Sequence, residues 1–280
     1  MITPNERALI AEHAYIPEHL PHYVSAISRT EPYLIGDFVA HLAGTSLVFV
    51  GYPLKGDFNE IQMLEALDEA KARFEPSLVS ILAPALPSAL EACEQPTIDE
   101  YYRLNLLPLR VPKKTRNMLA RARRELSVSI GEFGREHKRL LKEFMRTHRL
   151  NSATRFILKH VPEYVKSDSV LVFDARTQRG DLVAFDIADF GAQDYAFYMF
   201  NFRSRKHQVP GASDLLLAYI AAQAKTKEKR YINLGLGIDE GIAFFKKKWG
   251  AMPFLQCVTC TQEIGSQRSW TEMFDRFSKL

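Results

Sequence analysis

Two clusters in the second half of the chain have the residue types and spacing to do chemistry. The first is Arg203, Arg205 and Lys206, followed a few positions later by Gly211, Ala212 and Ser213. Basic side chains ahead of small residues at a helix start suit an anion. The first turn of a helix leaves backbone N–H groups free and carries partial positive charge, and small residues would let a phosphate come close to that backbone. A capped helix after a solvated loop has the same composition, so this stretch alone leaves both readings open. The second cluster is the run Lys246, Lys247, Lys248 before Trp249. At about 100° per residue, Ile242, Phe245 and Trp249 share one helix face, Lys246 lies about 40° from Ile242, and Lys247 points nearly opposite. Lys246 is the lysine placed to lean over a core or a cleft. A cation there could face a ligand; a snorkelling lysine that covers apolar surface would occupy the same position.

Other side chains could carry or position a proton. Asp186, Asp189 and Tyr198 lie on strand-like stretches and could deprotonate or position a nucleophile; a hydrogen-bonded strand carboxylate is the plainer account of either aspartate. Asn233, just before Gly235, could hold substrate with its amide or pin the adjacent turn. No Ser-His-Asp or metal-ligand spacing is visible.

These residues need elements to position them. Residues 195–202 are rich in aromatics and suit a buried strand. Pro210 to Asp214 carries helix-start signals, and 215–225 continues as a helix dominated by Leu and Ala. Residues 231–236 form a second strand, and 239–249 a last helix closed by Gly250 and Pro253. Two strands joined through a helix are expected to be parallel neighbours, and ligands collect at the carboxyl ends of such strands. Ahead of this unit come a basic helix at 113–125, a short strand at 126–130 and an amphipathic helix at 135–149. A helix over 154–165, interrupted near Pro162, and strands at 170–174 and 182–189 follow. A final strand covers 255–263.

The first half reads similarly in outline. It has a weak helix broken by Pro17 and Pro21, a hairpin of strands 33–42 and 45–52, a helix at 59–74, a strand at 78–82 and a strand-like stretch from Glu100 to Leu109. Strand, loop, helix and strand thus recur in both halves, offset by roughly 150 residues, the size of one domain. The expected organisation is a shortened first domain at 1–110 and a second at 111–280 that carries the site. The first copy has one Lys and one Asp in its loop, Lys55 and Asp57, and is expected to be a structural or substrate-side lobe.

Composition sets the outer limits. The chain has 280 residues, 46% hydrophobic and 25% charged, as a soluble globular protein does. No apolar run approaches the ~20 residues of a membrane span. The N-terminus has no secretory pattern, so the cytoplasm is expected. Three cysteines, Cys93, Cys257 and Cys260, are too few for a disulfide framework, and the lone Cys257-x-x-Cys260 lacks the second pair a zinc site needs. The net charge of +4 is uneven: from Arg110 to Arg149 there are 13 Lys or Arg against 4 Asp or Glu, so the rest of the chain is net acidic. That segment could form a patch for a polyanion such as tRNA, or a merely solvated helical surface.

The order of the second half, with two helices after its first strand, three strands on short turns, then helix, strand, helix and strand, resembles the GNAT acyltransferase fold. The fold class expected is therefore α/β (α+β), two GNAT-like domains in tandem, each with a mixed, mostly antiparallel sheet flanked by helices. Asn233-Leu234-Gly235, Gly241-Ile242, Phe245-Lys246 and Trp249-Gly250 further resemble the end of the FemAB-like branch of that superfamily. This branch includes the aminoacyl-tRNA-dependent peptidoglycan transferases and the C-terminal domain of phosphatidylglycerol lysyltransferases. The resemblance covers about the last two-thirds of the chain and implies transfer of an acyl or aminoacyl group to an amine or hydroxyl by direct attack. It implies that the lysine of this motif, Lys246, contacts substrate phosphate or the oxyanion that develops as a carbonyl is attacked, and it implies no tightly bound cofactor. The donor would be acyl-CoA or aminoacyl-tRNA, with its phosphates on Arg203, Arg205, Lys206 and the Gly211-Ala212-Ser213 helix start, and a small molecule, lipid or peptide would be acceptor. The chain departs from the peptidoglycan enzymes in lacking a long helical hairpin, and from the lipid synthases in lacking a membrane domain. A non-catalytic polyanion-binding module of the same fold is the alternative.

Overall fold

Local signals start most of the helices. The computed structural model describes residues 1–90 and 96–264, and Cys93 lies outside them. Helix α1 (Pro4–His13) begins in a capping box between Thr3 and Glu6, and a 3-10 turn (Pro17–His19) leads into α2 (Pro21–Ser28). Asn59 caps α3 (Glu60–Phe74), and α4 (Lys113–Glu125) and α5 (Arg135–Thr147) follow the basic stretch. Asn151 caps α6 (Ser152–Tyr164). Pro162 does not interrupt it, because it lies in the last turn, where one lost hydrogen bond ends a helix rather than splits it. The remaining helices are α7 (Ala212–Thr226) and α8 (Glu240–Lys248), the latter capped by Asp239.

The strands are β1 (Glu31–Ile35), β2 (Phe38–Ala43), β3 (Ser46–Val50), β4 (Leu78–Ala83), β5 (Thr97–Asn105) and β6 (Leu126–Gly131). They continue as β7 (Val170–Thr177), β8 (Leu182–Asp189), β9 (Tyr195–Arg203), β10 (Tyr231–Leu236) and β11 (Met252–Glu263). The stretch expected as one strand over 33–42 is two, because the chain turns at Gly36, whose φ of 56° is left-handed.

The 11 strands among the described residues form one sheet in the order β1-β2-β3-β4-β11-β5-β10-β9-β8-β7-β6. Only β3 with β4 and β9 with β10 run parallel; every other neighbouring pair is antiparallel. This is two GNAT-like halves side by side. The halves exchange strands at the seam: β5, from before residue 110, sits between β10 and β11, and β11, from the end of the described chain, pairs with β4 of the first half. Each half's last sheet position is therefore filled by the other half's chain.

The alternation of side chains along the strands makes two faces. On the first face one core runs the whole sheet, joining Val48, Tyr101, Phe185 and Phe197 to Val24 of α2, Leu140 of α5 and Ile157 of α6. The second face carries two cores. Leu47, Phe49 and Ile81 pack under Met63 and Leu67 of α3, whereas Ala184, Ala196 and Ile232 pack under Leu119 of α4 and Leu216 of α7. Two consequences bear on the sequence expectations. The basic segment from Arg110 to Arg149 does not form one continuous helical face, since α4 and α5 lie on opposite sides of the sheet. Cys257 and Cys260, three positions apart on β11, likewise belong to cores on opposite faces and cannot clamp one ion together. Among the described residues no helix is long and apolar enough to cross a membrane.

Candidate functional site

The two parallel pairs differ where a ligand would enter. In the first half β3 and β4 stay in register from Ser46↔Leu78 to Val50↔Leu82, and Gly51 N–H continues the ladder by donating to the Leu82 carbonyl at 2.7 Å. In the second half β9 and β10 pair only at Tyr195↔Tyr231, Ala196↔Ile232 and Phe197↔Asn233, and then part. The reason lies in β10. Gly235 has φ 76°, and the pairing of β10 with β5 shifts register between Asn233 and Leu236. Asn233 holds this kink: its Oδ1 accepts from Gly235 N–H at 2.8 Å, while its Nδ2 donates to the Tyr15 carbonyl at 2.8 Å. Asn233 is completely buried. Its amide is thus spent on the turn and on the N-terminal segment, so it shapes the opening from inside the protein.

The basic loop after β9 forms one lip of the opening. Arg203, Arg205 and Lys206 are exposed, and among the described residues none makes an ion pair. The loop is held by its backbone instead: Ser204 Oγ accepts from Lys206 N–H and His207 N–H at 3.2 and 3.1 Å, and Arg205 N–H donates to Glu143 of α5 at 3.2 Å. The charged tips therefore remain available. The helix start is less open than its small residues suggest. Gly211 has φ 83°, and a Cβ there would lie 2.8 Å from Met118 Cγ, so the glycine makes room for α4 rather than for a phosphate. Ala212 is buried. Asp214 puts a carboxylate in the first turn, where it already satisfies the helix dipole. It pairs with Lys248 Nζ at 2.7 Å and accepts from Trp249 Nε1 at 2.9 Å, which ties the start of α7 to the end of α8.

Ser213 points inward, toward a polar cluster. Its Oγ donates to Asn201 Oδ1 at 3.2 Å, and Asn201 Nδ2 donates to Asp186 Oδ1. Asp186 and Asn201 are cross-strand partners on β8 and β9. Asp186 is completely buried between Ala184 and Ala188 on the face under α7. Burial pushes its carboxyl pKa up to about 8, against the lowering effect of Asn201 and the nearby Tyr198 phenol. Burial, and then Asp186 itself, drives the Tyr198 phenol well above its ordinary range. Tyr198 also stacks at 6.3 Å on Phe245 of α8. A carboxyl with a pKa within about a unit of neutrality can both hold and give up a proton at working pH.

Lys246 enters from the other side of β10. It is the one buried residue among those of α8, and its Nζ donates to the Leu236 carbonyl at the end of β10. The ring of Tyr102 lies 5.7 Å away. A Cβ at position 235 would lie in ordinary van der Waals contact with Nζ, at 3.8 Å, so it is the left-handed φ of 76° and not crowding that calls for glycine there. Burial pulls the Lys246 pKa down to about 7, partly offset by Asp99 and Asp239. Lys247 is exposed, and Lys248 is taken by Asp214. The helix-face argument thus separates the three lysines correctly, although Lys246 lies deeper than the rim of a cleft.

The structure brings Asp186, Tyr198 and Ser213 together, sets Lys246 beside Gly235, and keeps Asp189 apart. Asp189 is consumed by His22 Nε2 at 2.6 Å, Tyr164 O–H at 2.7 Å and Gly191 N–H at 2.8 Å. Ser169 Oγ lies 3.1 Å from the same His22 nitrogen, so serine and aspartate share one edge of the ring and no proton relay runs through it. Asn201 and Asp214 were not singled out from sequence. An asparagine in an otherwise aromatic strand and an acid in the first turn of a helix were the available signals.

No protein-family model matches the chain, and no curated protein matches it. Solved structures do. L-PGS from Bacillus licheniformis superposes with a TM-score of 0.63 at 15% identity, over 93% of this chain and 92% of that one. FemX superposes at 0.63 and 11% identity, over 92% and 96%. A tandem GNAT protein from the clavulanic acid biosynthesis pathway superposes at 0.52 and 14% identity, over 82% and 79%. At such low identity the likeness is one of fold, and its coverage takes in most of both halves. In fold, the chain is like L-PGS, FemX and the tandem GNAT protein.

Proposed function

We propose that the chain is a transferase that moves an acyl or aminoacyl group to an amine or hydroxyl by direct attack. The observation that carries this reading is the parting of β9 from β10 after Phe197 and Asn233, when the equivalent pair β3 and β4 stays closed. The fold shared with L-PGS, FemX and the tandem GNAT protein supports it. The donor, acyl-CoA or aminoacyl-tRNA, would lie in that opening. Its phosphates would meet Arg203, Arg205 and Lys206, because Gly211 and Asp214 leave the helix start already occupied. Asp186, steadied by Asn201 and flanked by Tyr198, would take the proton that the acceptor sheds on attack. That proton would balance the one needed by the donor's thiolate or ribose oxygen as the carbon–sulfur or carbon–oxygen ester bond breaks and it departs. Lys246 would turn from the Leu236 carbonyl toward the oxygen on which negative charge develops. The acceptor would be a small molecule, a lipid or a peptide, and the first half a structural or substrate-side lobe.

The test is binding followed by turnover. Acetyl-CoA and an aminoacyl-tRNA are titrated into the wild type and into Arg203→Ala/Arg205→Ala. Saturable binding of one of them, with at least a tenfold loss in the variant and an unchanged melting temperature, is expected. Loss of stability without loss of donor affinity would mean that the arginines are structural and the opening is not a donor site. The alternative, a non-catalytic polyanion binder, draws on the many exposed basic residues of α4 and α5. It would give salt-dependent affinity for unrelated nucleic acids and no binding of the small donor.

A further inference from the structure

On the first face of the sheet, away from α7 and the basic loop, Arg103 of β5 sits in a box of aromatic rings. Its guanidinium carbon lies 4.5 Å from the Tyr231 ring centre and 5.0 Å from that of Phe254. Its Nη1 donates to the Tyr195 hydroxyl at 3.2 Å. Tyr195 itself packs on Tyr231 at 5.0 Å and on Phe254 at 6.3 Å, so the three rings support one another. Arg103 and the three rings are each half-buried. Arg230 lies 5.4 Å from the same Tyr231 ring, and the acid close to Tyr195, Asp194, is already paired with Arg230 at 3.3 Å.

A guanidinium has five N–H donors in a planar fork. Among the described residues Arg103 has no carboxylate within ion-pair distance, and one hydrogen bond, to Tyr195, is its whole side-chain set. The rings and the Tyr195 hydroxyl restrict the side chain, which lowers the entropy that the arginine loses on binding. They do not neutralise it. A cation that is ordered, half-exposed and left with open donors is pre-organised for the two oxygens of a carboxylate or phosphate. We infer that Arg103, framed by Tyr195, Tyr231 and Phe254, is a binding site for the carboxylate or phosphate group of a ligand that docks on this face of the sheet. The inference does not depend on the transferase reading. The site lies on the opposite face from α7 and uses none of Arg203, Arg205 or Lys206.

The test is calorimetric titration with inorganic phosphate and, separately, with acetate, at constant ionic strength and with chloride as control. The titrations take Arg203→Ala/Arg205→Ala as the parent protein, so that anions held by the basic loop do not count, and this parent should bind at least one of the two anions saturably. Arg103→Gln should bind it at least tenfold more weakly. Tyr195→Phe keeps the ring and removes only the hydroxyl that fixes Nη1, so it should weaken binding several-fold without affecting the fold. It also decides the matter if Arg103→Gln fails to fold. Preference for phosphate or for acetate identifies which anion the site takes. Anion affinity that survives Arg103→Gln in that parent, or survives Tyr195→Phe where the other variant is unfolded, would overturn the assignment, as would no saturable binding in the parent beyond the chloride control.

Discussion

Lys246→Met tests the reading of the buried lysine without needing a substrate. Lys246 is 4% exposed, and burial lowers its pKa from the ordinary 10.5 to about 7. In the unfolded chain the amine keeps its proton until the pH approaches its ordinary value; in the folded chain it loses it near neutrality. Between these limits the unfolded state binds more protons, so stability must rise with pH. The contribution is complete above the unfolded pKa and is lost as pH falls through the folded one. At about 1.36 kcal/mol per unit, the step from about pH 7 to about pH 9 is worth roughly 2 kcal/mol, or about 4 °C in Tm for a chain of this size. Methionine has similar length and no charge, so the variant lacks this slope. It also leaves the Leu236 carbonyl without its partner, at a cost of about 1–3 kcal/mol that does not vary with pH. Paired denaturant melts at the two pH values separate the two effects. Wild type should gain on the variant by roughly 2 kcal/mol as the pH rises. Parallel profiles would refute the claim that this ammonium is held in a dehydrated site, and with it the argument that its charge is available to a developing oxyanion.

The other predictions follow from neighbouring contacts. Once a substrate is in hand, Lys246→Ala should lower kcat by roughly 100- to 1000-fold with little change in donor affinity, and exposed Lys247→Ala should change neither; equal small effects in paired kinetics would leave Lys246 a packing residue. Asp186 has its pKa raised to about 8, so the folded state binds the extra proton and the carboxyl's stabilising contribution, present below about pH 4, is lost as the pH rises through the folded pKa. Asp186→Asn should flatten that decline in melts taken across this range, and an unchanged slope would place the carboxylate in contact with water. Asp214→Ala leaves Lys248 and the Trp249 indole without their partner, and should cost about 3–5 kcal/mol by denaturant unfolding. A cost below about 1 kcal/mol would mean that the pair behaves as a surface ion pair.

Much of this protein could be read locally. Amphipathic spacing, caps and strand-like aromatics located nearly every helix and strand, because helix period and capping depend on residues within a turn or two of one another. Repetition of strand, loop, helix and strand indicated two related halves, and the helix between 195–202 and 231–236 implied that those strands are parallel. The ranking of Lys246 over Lys247 needed only the angle around a helix. Other decisions lay beyond local reach. Which strands close each half was set by pairings such as Cys257↔Asp99 and Val258↔Ala83, between segments far apart in sequence, and no turn or period announces such an exchange. The basic stretch looked continuous until β6 carried the chain from α4 on one face of the sheet to α5 on the other. Gly211 looked like room for a phosphate until Met118 filled it. Asp186 and Asn201 became one unit only through the register of β8 and β9. Sequence by itself determined the elements and the charges they carry. The packing of distant segments decided which of those charges are spent inside the protein, as on Asp189 and Asp214, and which, as on Arg103, Arg203 and Arg205, remain free of a carboxylate partner among the described residues.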